Sequence, residues 1–169
     1  MQPLLHTAFV ALGSNLQDRE GRIDAATDYL AALSRTPLLR SHLYDTPPMY
    51  LEQQPRFLNG VARMTTNLSA DELLEALLSI ESAMGRVRAE RNGPRVIDLD
   101  LLLWDNACQS SHRLTLPHPG IAERPFVLCP LAEVAPDLVH PLLDRRMDDL
   151  WLDLRARLHP SELPVRTLR

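Results

Sequence analysis

Hydrophobic and polar residues alternate along the chain with two different periods, one typical of strands and one typical of helices. In a strand, successive side chains point to opposite faces, so a short apolar or alternating run indicates a strand. In a helix, apolar side chains three or four positions apart share one face. These patterns predict strands at residues 7–12, 38–44, 57–67 and 96–103, and helices at residues 17–33 and 69–84.

The predicted elements occur in the order β-α-β-β-α-β, which is the order of a ferredoxin-like split βαβ fold. We therefore predict an α+β fold whose antiparallel-rich sheet carries two helices on one face. Asn15 or Asp18 is a candidate N-cap of the first helix. Ser69 and Glu72 have the spacing of a capping box at the start of the second helix, and Gly85 is placed to end it.

The residues after the last predicted strand form a C-terminal extension. Residues 126–134 predict a helix with Pro130 as a kink or an internal start, and residues 147–158 predict an amphipathic helix. Residues 161–169 are expected to be mobile, as chain ends often are. A chain of 169 residues is long enough for a sizeable core, so we expect residues 1–169 to form a single domain.

Two carboxylates interrupt the last predicted strand. Asp98 and Asp100 lie two positions apart, so they share one face of the strand, with Cα atoms roughly 6–7 Å apart. Leu99 and Leu101 take the other face. One interpretation is an edge strand that leaves both carboxylates in water. The other is a metal site, because carboxylates are natural ligands of Mg²⁺, which is often shared with substrate phosphates.

An arginine beside these carboxylates favours the metal site. Arg95 lies three residues before Asp98, and its planar guanidinium group is suited to bidentate binding of phosphate. Acidic metal ligands next to an arginine are the composition that a phosphoryl-transfer site needs. This strand alone therefore supports a hypothesis about the reaction class.

Composition excludes several other functions. The chain has 45% hydrophobic and 24% charged residues and a net charge of -4, which argues against general binding to nucleic acid or a membrane surface. All 18 basic residues are arginine, which excludes a P-loop lysine, a kinase-type strand lysine and Schiff-base chemistry. Cys108 and Cys129 lack zinc-site spacing and are interpreted as free thiols in a reducing compartment. No apolar run has the length of a membrane span, so we expect a cytoplasmic protein.

Seven short blocks in a fixed order carry a resemblance to a known family. The blocks are residues 11–16 (ALGSNL), 44–48 (YDTPP), 57–59 (FLN), 81–88 (ESAMGRVR), 91–102 (RNGPRVIDLDLL), 113–118 (RLTLPH) and 124–136 (RPFVLCPLAEVAP). In these blocks the chain resembles the 6-hydroxymethyl-7,8-dihydropterin pyrophosphokinase family. The resemblance covers about residues 8–137, which leaves residues 138–169 as a C-terminal helical extension.

The resemblance implies transfer of pyrophosphate from ATP to the hydroxymethyl group of the dihydropterin in folate biosynthesis, with release of AMP. It implies that Asp98 and Asp100 hold two Mg²⁺ ions, and that Arg86 and Arg95 bind phosphates from a mobile loop of about residues 86–94. Leu114 and Thr115 are expected near the adenosine. The full set expected in the ATP pocket is Arg88, Arg91, Leu101, Arg113, Leu114, Thr115, His118 and Arg124.

The resemblance also implies a pterin site. The pterin is expected to stack between Phe57 and Phe126, with Asn59 presenting an amide donor and acceptor to its edge. Loop contacts are expected from Thr46, Pro47 and Met49. Without the resemblance, a role in an ordinary core is the more common one for such aromatic residues, and the arginines are compatible with a solvated surface. The expected ligands are small molecules, and the expected state is a monomer.

Some positions depart from the family pattern. Asn92 stands where the family commonly has tryptophan, Ala89 and Pro119 replace common basic and aromatic residues, and the loop at residues 48–56 lacks the usual glycine and aspartate. We therefore predict retained catalysis with altered loop dynamics or affinity. One alternative is a degenerate paralogue that binds without turnover. The other is a ferredoxin-like regulatory or RNA-binding module, which the 5% aromatic content and the acidic charge disfavour.

Overall fold

An antiparallel sheet forms the centre of the computed structural model, which describes residues 1–87 and 91–168. The strands of the chain are β1 (His6–Ser14), β2 (Leu39–Arg40), β3 (Tyr44–Thr46), β4 (Phe57–Thr66), β5 (Asp98–Trp104), β6 (Gln109–Ser110), β7 (Thr115–Leu116) and β8 (Val165–Arg166). In the central sheet the strands follow the order β5-β1-β4-β3-β8, and β2 pairs with β4 beside β3. A separate two-stranded ribbon consists of β6 and β7.

Helices cover both faces of this sheet. The helices are α1 (Arg19–Leu33), α2 (Ala70–Ala83), α3 (Pro125–Val134) and α4 (Met147–Arg155), with 3₁₀ turns at Ile121–Glu123 and Pro160–Glu162. One apolar cluster joins the sheet to α1 and α2, and a second joins its other face to α3 and α4. The described residues include no helix that is long and apolar enough to cross a membrane.

The arrangement confirms the predicted α+β, ferredoxin-like class. Strand β5 lies beside β1, β1 beside β4, and β4 beside both β2 and β3, which is the spatial order of that fold. Helices α1 and α2 pack on one face of this sheet. Strand β4 places Leu58, Ala62 and Met64 in one cluster and Val61 in the other, as its alternation predicts. Helices α3 and α4 form the second covering layer.

Local capping agrees with the sequence in most respects. Asp18 caps α1, since its carboxylate accepts a hydrogen bond of 3.0 Å from the N–H of Gly21. Ser69 and Glu72 form the predicted capping box of α2, and Gly85 follows this helix with a φ of 85°. The alternative cap, Asn15, instead binds two loops of the candidate site.

One expectation about strands was wrong. The predicted strand at 38–44 is interrupted at Ser41, whose Oγ accepts a hydrogen bond of 3.0 Å from the N–H of Val61 in place of the backbone carbonyl. The last residues were expected to be mobile, and the part of residues 161–169 that the structure describes includes β8. Strand β8 pairs with β3, and the N–H of Thr167 donates to the carbonyl of Leu43 at 2.9 Å. A two-residue strand is too short to show alternation in the sequence.

Candidate active site

A cleft of about 660 Å³ lies at one end of the sheet. Every predicted site residue that the structure describes lines this cleft, and Arg88 lies outside the described residues. The lining therefore includes Thr46, Pro47, Met49, Phe57, Asn59, Arg86, Arg91, Arg95, Asp98, Asp100, Leu101, Arg113, Leu114, Thr115, His118, Arg124 and Phe126. Residues that are far apart in sequence are thus brought together as the resemblance implied.

Gly13 lies between two strands that supply residues of the cleft lining. This residue at the end of β1 lies opposite Asn59 of β4 on one side and opposite Asp98 of β5 on the other. A Cβ atom at position 13 would lie 2.7 Å from Oδ1 of Asn59, which is closer than a side chain tolerates. Glycine at this position therefore leaves room for the Asn59 amide.

Replacing this glycine tests the arrangement. Gly13→Ala is expected to displace the Asn59 amide and raise the KM for the dihydropterin by about tenfold, because small misplacements at a binding site are costly. The affinity for ATP and the midpoint of thermal unfolding serve as controls and should change little. A wild-type pterin KM would contradict this reading of the close approach.

Asp98 is held by two arginines. Nη1 of Arg86 donates to Oδ1 of Asp98 at 2.7 Å, and Nε of Arg95 lies 3.1 Å from Oδ2. Arg86 also forms an ion pair with Glu81, a buried residue of α2. Although β5 is at the edge of the sheet, only 21% of the Asp98 side chain is exposed. The carboxylate therefore belongs to a charged network and is not left in water.

Asp100 lies in a different environment on the same face. Burial raises its pKa to about 6, the charge of Asp98 adds to the increase, and Arg124, Arg95 and Arg86 oppose it. A cation between the carboxylates would remove this cost. Among the described residues no group of three or more histidine, cysteine or acidic side chains is arranged so that it could hold a metal ion. The two carboxylates fit Mg²⁺, which commonly takes its other ligands from water and substrate phosphates.

Arg95 is positioned by contacts on several sides. Its Nη1 donates to the carbonyl of Gly93 at 3.1 Å, and its guanidinium carbon lies 4.9 Å from the centre of the Phe57 ring. Its backbone N–H donates to Oδ1 of Asn15 at 2.9 Å, and the N–H of Asn15 donates back to the Arg95 carbonyl at 3.2 Å. The buried Asn15 thus fixes the backbone of the arginine next to the acidic strand.

The side of the cleft that is expected to bind the pterin is mostly buried. Phe57 is 8% exposed and lies opposite Thr46 in the pairing of β3 with β4. The amide Nδ2 of Asn59 and Oγ1 of Thr46 are joined by a hydrogen bond of 2.7 Å. Phe126 enters from the first turn of α3. Two aromatic side chains and one oriented amide therefore face a common space.

The side expected to bind ATP contains a neutral histidine. Burial lowers the pKa of His118 to about 4, and the nearby charge of Arg124 contributes to the decrease. Nδ1 of His118 accepts from the N–H of Gly120 at 3.1 Å, so the ring proton is on Nε2, which remains a hydrogen-bond donor. Arg113 forms an ion pair with Glu75 of α2, and more than half of its side chain is exposed.

The sequence did not indicate a bridge between the two loops that border the cleft. Oε1 of Gln54 accepts from Nδ2 of Asn15 at 3.0 Å, and Nε2 of Gln54 donates to the carbonyls of Leu51 at 2.8 Å and Asn92 at 2.9 Å. Asn92 has a φ of 59°, a conformation that asparagine tolerates better than tryptophan. The block ALGSNL contained Asn15, but no spacing rule connected it to either loop.

The Gln54 bridge can be tested with its neighbour as a control. Gln54→Ala removes hydrogen bonds to both loops and is expected to raise the pterin KM by about threefold to tenfold. Gln53→Ala changes an exposed side chain in the same loop and should leave the KM unchanged. Equal effects of both substitutions would mean that the loop composition matters and the bridge does not.

Comparison with known proteins identifies the family of this chain. Residues 9–136 match the model of the 7,8-dihydro-6-hydroxymethylpterin-pyrophosphokinase (HPPK) family. The chain belongs to this family. A 2-amino-4-hydroxy-6-hydroxymethyldihydropteridine pyrophosphokinase of Methylorubrum extorquens is 48% identical over 133 residues, covering 78% of this chain and 84% of the relative. The enzyme of the same name from Pseudomonas aeruginosa is 46% identical over 139 residues, covering 82% and 86%.

Longer HPPK proteins match as well. The folic acid synthesis protein fol1 of Schizosaccharomyces pombe is 45% identical over 135 residues, which cover 79% of this chain but only 18% of that protein. A crystal structure of Plasmodium falciparum HPPK-DHPS superposes with a TM-score of 0.77 at 14% identity, covering 98% of this chain and 49% of the other. This likeness shows the HPPK fold. The family assignment confirms the resemblance drawn from the sequence and supports the pyrophosphate transfer that it implied.

Proposed function

We propose that the chain transfers a pyrophosphoryl group from ATP to the hydroxymethyl oxygen of 6-hydroxymethyl-7,8-dihydropterin. That oxygen attacks the β-phosphorus of ATP and loses its proton, the bond from the β-phosphorus to the bridging α–β oxygen breaks, and AMP leaves. The observation that carries the proposal is the single cleft that joins the Asp98–Asp100 pair to Phe57, Asn59 and Phe126. We also propose that residues 1–169 act as one pterin pyrophosphokinase domain.

The acidic strand and its arginines supply the phosphate half of the proposed site. Asp98 and Asp100 would hold two Mg²⁺ ions, which when bound neutralise the triphosphate and align it for displacement. Arg86 and Arg95 already lie within hydrogen-bond distance of Asp98, so they are close to the phosphates that such ions bind. Guanidinium groups at this distance stabilise charge that develops on phosphate oxygens. The chemistry then depends mainly on positioning and electrostatics.

The remaining lining residues would select the two substrates. Phe57 and Phe126 offer faces for stacking a flat pterin, and Asn59 offers polar atoms to its edge. Thr46, Pro47 and Met49 border the same space. For ATP we propose Arg91, Leu101, Arg113, Leu114, Thr115, His118 and Arg124, together with Arg88 from outside the described residues. A neutral His118 suits this role because it donates a hydrogen bond without adding charge.

We propose that the chain acts in the cytoplasm. Cys108 and Cys129 are both free thiols, which fits a reducing cytoplasm. We propose a monomer that acts on small molecules, since the cleft is formed within one chain. Neither nucleic acid nor a membrane is proposed as a partner.

Formation of AMP tests the proposed function directly. The purified chain is incubated with ATP and Mg²⁺, with and without 6-hydroxymethyl-7,8-dihydropterin, and the nucleotide products are separated. Pterin-dependent AMP is expected. Pterin-dependent ADP would instead indicate ordinary kinase chemistry. Saturable pterin binding without any AMP would favour a degenerate paralogue.

A further inference from the structure

We infer that Arg166 of the C-terminal strand β8 is a positioning residue for the pterin side of the cleft, acting through His42 and Glu133. The inference rests on the proposed function and extends it to a segment that the family match, residues 9–136, does not include. Arg166 itself does not line the cleft. The connection runs through the edge of the sheet and the last turn of α3.

Strand β8 is attached to the strand that borders the pterin side. Arg166 lies opposite Tyr44 in the antiparallel pairing of β8 with β3. The N–H and Oγ1 of Thr167 both donate to the carbonyl of Leu43, at 2.9 and 3.1 Å. Strand β3 then runs from Tyr44 to Thr46, whose side chain binds Asn59. The C-terminal strand therefore supports the short strand that ends in the cleft.

A directed chain of hydrogen bonds leads from Arg166 to Glu133. Nη2 of Arg166 lies 2.5 Å from Nε2 of His42, and Nδ1 of His42 lies 2.5 Å from Oε1 of Glu133. A guanidinium group can only donate, so Nε2 of His42 must accept. The imidazole proton is then on Nδ1 and is donated to the carboxylate. Arg166 thus fixes both the tautomer and the orientation of His42.

Glu133 connects α3 to Tyr44 of β3 and to His42, which lies two residues before that strand. Its Oε1 also accepts from the backbone N–H of His42 at 3.0 Å, and its Oε2 accepts from the Tyr44 hydroxyl at 2.6 Å. Burial alone raises the pKa of Glu133, but the hydrogen bonds from Tyr44 and His42 outweigh it and lower the pKa below its usual range. The carboxylate is therefore ionised at neutral pH and forms strong, charge-assisted hydrogen bonds with Tyr44 and His42.

Each of the two elements that Glu133 joins carries a residue of the cleft lining, Phe126 on α3 and Thr46 on β3. Helix α3 begins at Pro125 and presents Phe126 in its first turn, whereas β3 ends at Thr46, opposite Phe57. A shift of α3 against β3 would change the space between Phe126 and Phe57. Since stacking depends on the separation of two rings, this space should control pterin affinity more than ATP affinity.

The test compares Arg166→Ala with Arg157→Ala, an exposed C-terminal arginine whose Nε donates to the backbone of its own helical segment, at the carbonyl of Asp153. We expect Arg166→Ala to raise the KM and the Kd for 6-hydroxymethyl-7,8-dihydropterin by about twofold to fivefold, the size usual for an exposed contact. The KM for ATP, kcat and the midpoint of thermal unfolding should stay at wild-type values. Arg166→Lys should restore part of the affinity, and Arg157→Ala should have no effect.

Two results would overturn the inference. A wild-type pterin KM in Arg166→Ala would show that the hydrogen-bond chain does not reach the cleft. A joint rise of both KM values with a lower unfolding midpoint would show that β8 only stabilises the fold. The Kd is measured by titrating the pterin without turnover, so it separates this inference from the proposed function. If the wild-type chain binds pterin but forms no AMP, the proposed function fails and the Kd comparison still decides the role of Arg166.

Discussion

Asp98→Asn and Asp100→Asn are each expected to reduce pterin-dependent AMP formation by about 10³-fold or more, because each removes a carboxylate proposed to bind Mg²⁺. Their effects on stability should nevertheless have opposite signs. Asp98 pairs with Arg86 and Arg95, so its replacement leaves two guanidinium groups with weaker partners. Without Mg²⁺ this should lower the free energy of unfolding by about 1–3 kcal/mol.

Asp100→Asn should instead stabilise the chain in the presence of a chelator. Burial and the charge of Asp98 raise the pKa of Asp100 to about 6, so its ionised form costs free energy in the native state at neutral pH. A neutral amide of the same shape removes that cost, and a gain of about 1–3 kcal/mol is expected. The native state binds the Asp100 proton more tightly than the unfolded state. The gain should therefore shrink as the pH falls from about 7 to about 4, where wild-type Asp100 becomes protonated.

Unfolding by urea and assays of AMP formation on the same preparations check both effects. Asp105→Asn is the matched control, since Asp105 directly follows β5 and binds His6 and the N–H of Thr7 away from the cleft. It should retain turnover. Near-normal turnover in Asp98→Asn would contradict the metal assignment, and a loss of stability in Asp100→Asn would contradict the electrostatic account of that carboxylate.

The fold was largely predictable because its longer elements carry strong periodic signals. Strands β1, β4 and β5 and helices α1 and α2 each bury a regular set of apolar side chains, which fixes their type and order. The short strands β2, β3 and β8 were predicted less well. The predicted strand at 38–44 is interrupted at Ser41, which bonds to Val61, and β8 has too few residues for any period. Their positions depend on partners that are distant in sequence.

The candidate site shows the same division. The Asp98–Asp100 pair is visible in the sequence because it breaks an apolar strand, and the arginine beside it suggested phosphate. The residues named from the resemblance do line one cleft, although their roles stay predictions. Asn15, Gln54 and Glu133 were not given roles in the site, because each acts there through hydrogen bonds between segments about 40 to 91 positions apart. Such contacts leave no local pattern in a single sequence.

Arg95→Ala is expected to lower kcat for AMP formation by about 10²–10³-fold, the effect usual when one oriented donor is removed from a site that stabilises developing charge. Arg95 combines an ion pair with Asp98, a hydrogen bond to Gly93 and a position over the Phe57 ring. It therefore lies between the proposed phosphate and pterin halves of the cleft. Its removal should also raise the pterin KM, since the Phe57 face loses its neighbour.

Arg95→Lys distinguishes the shape of this side chain from its charge. A lysine keeps one positive charge but cannot contact Asp98 and Gly93 at once with a rigid planar group, so it should recover little of the lost kcat. Arg113→Ala removes a mostly exposed arginine from the same cleft and is expected to raise the KM for ATP by less than about tenfold. Wild-type kcat in Arg95→Lys would show that only the charge matters at this position. An effect of Arg113→Ala as large as that of Arg95→Ala would show that burial and orientation do not determine which arginine serves the reaction.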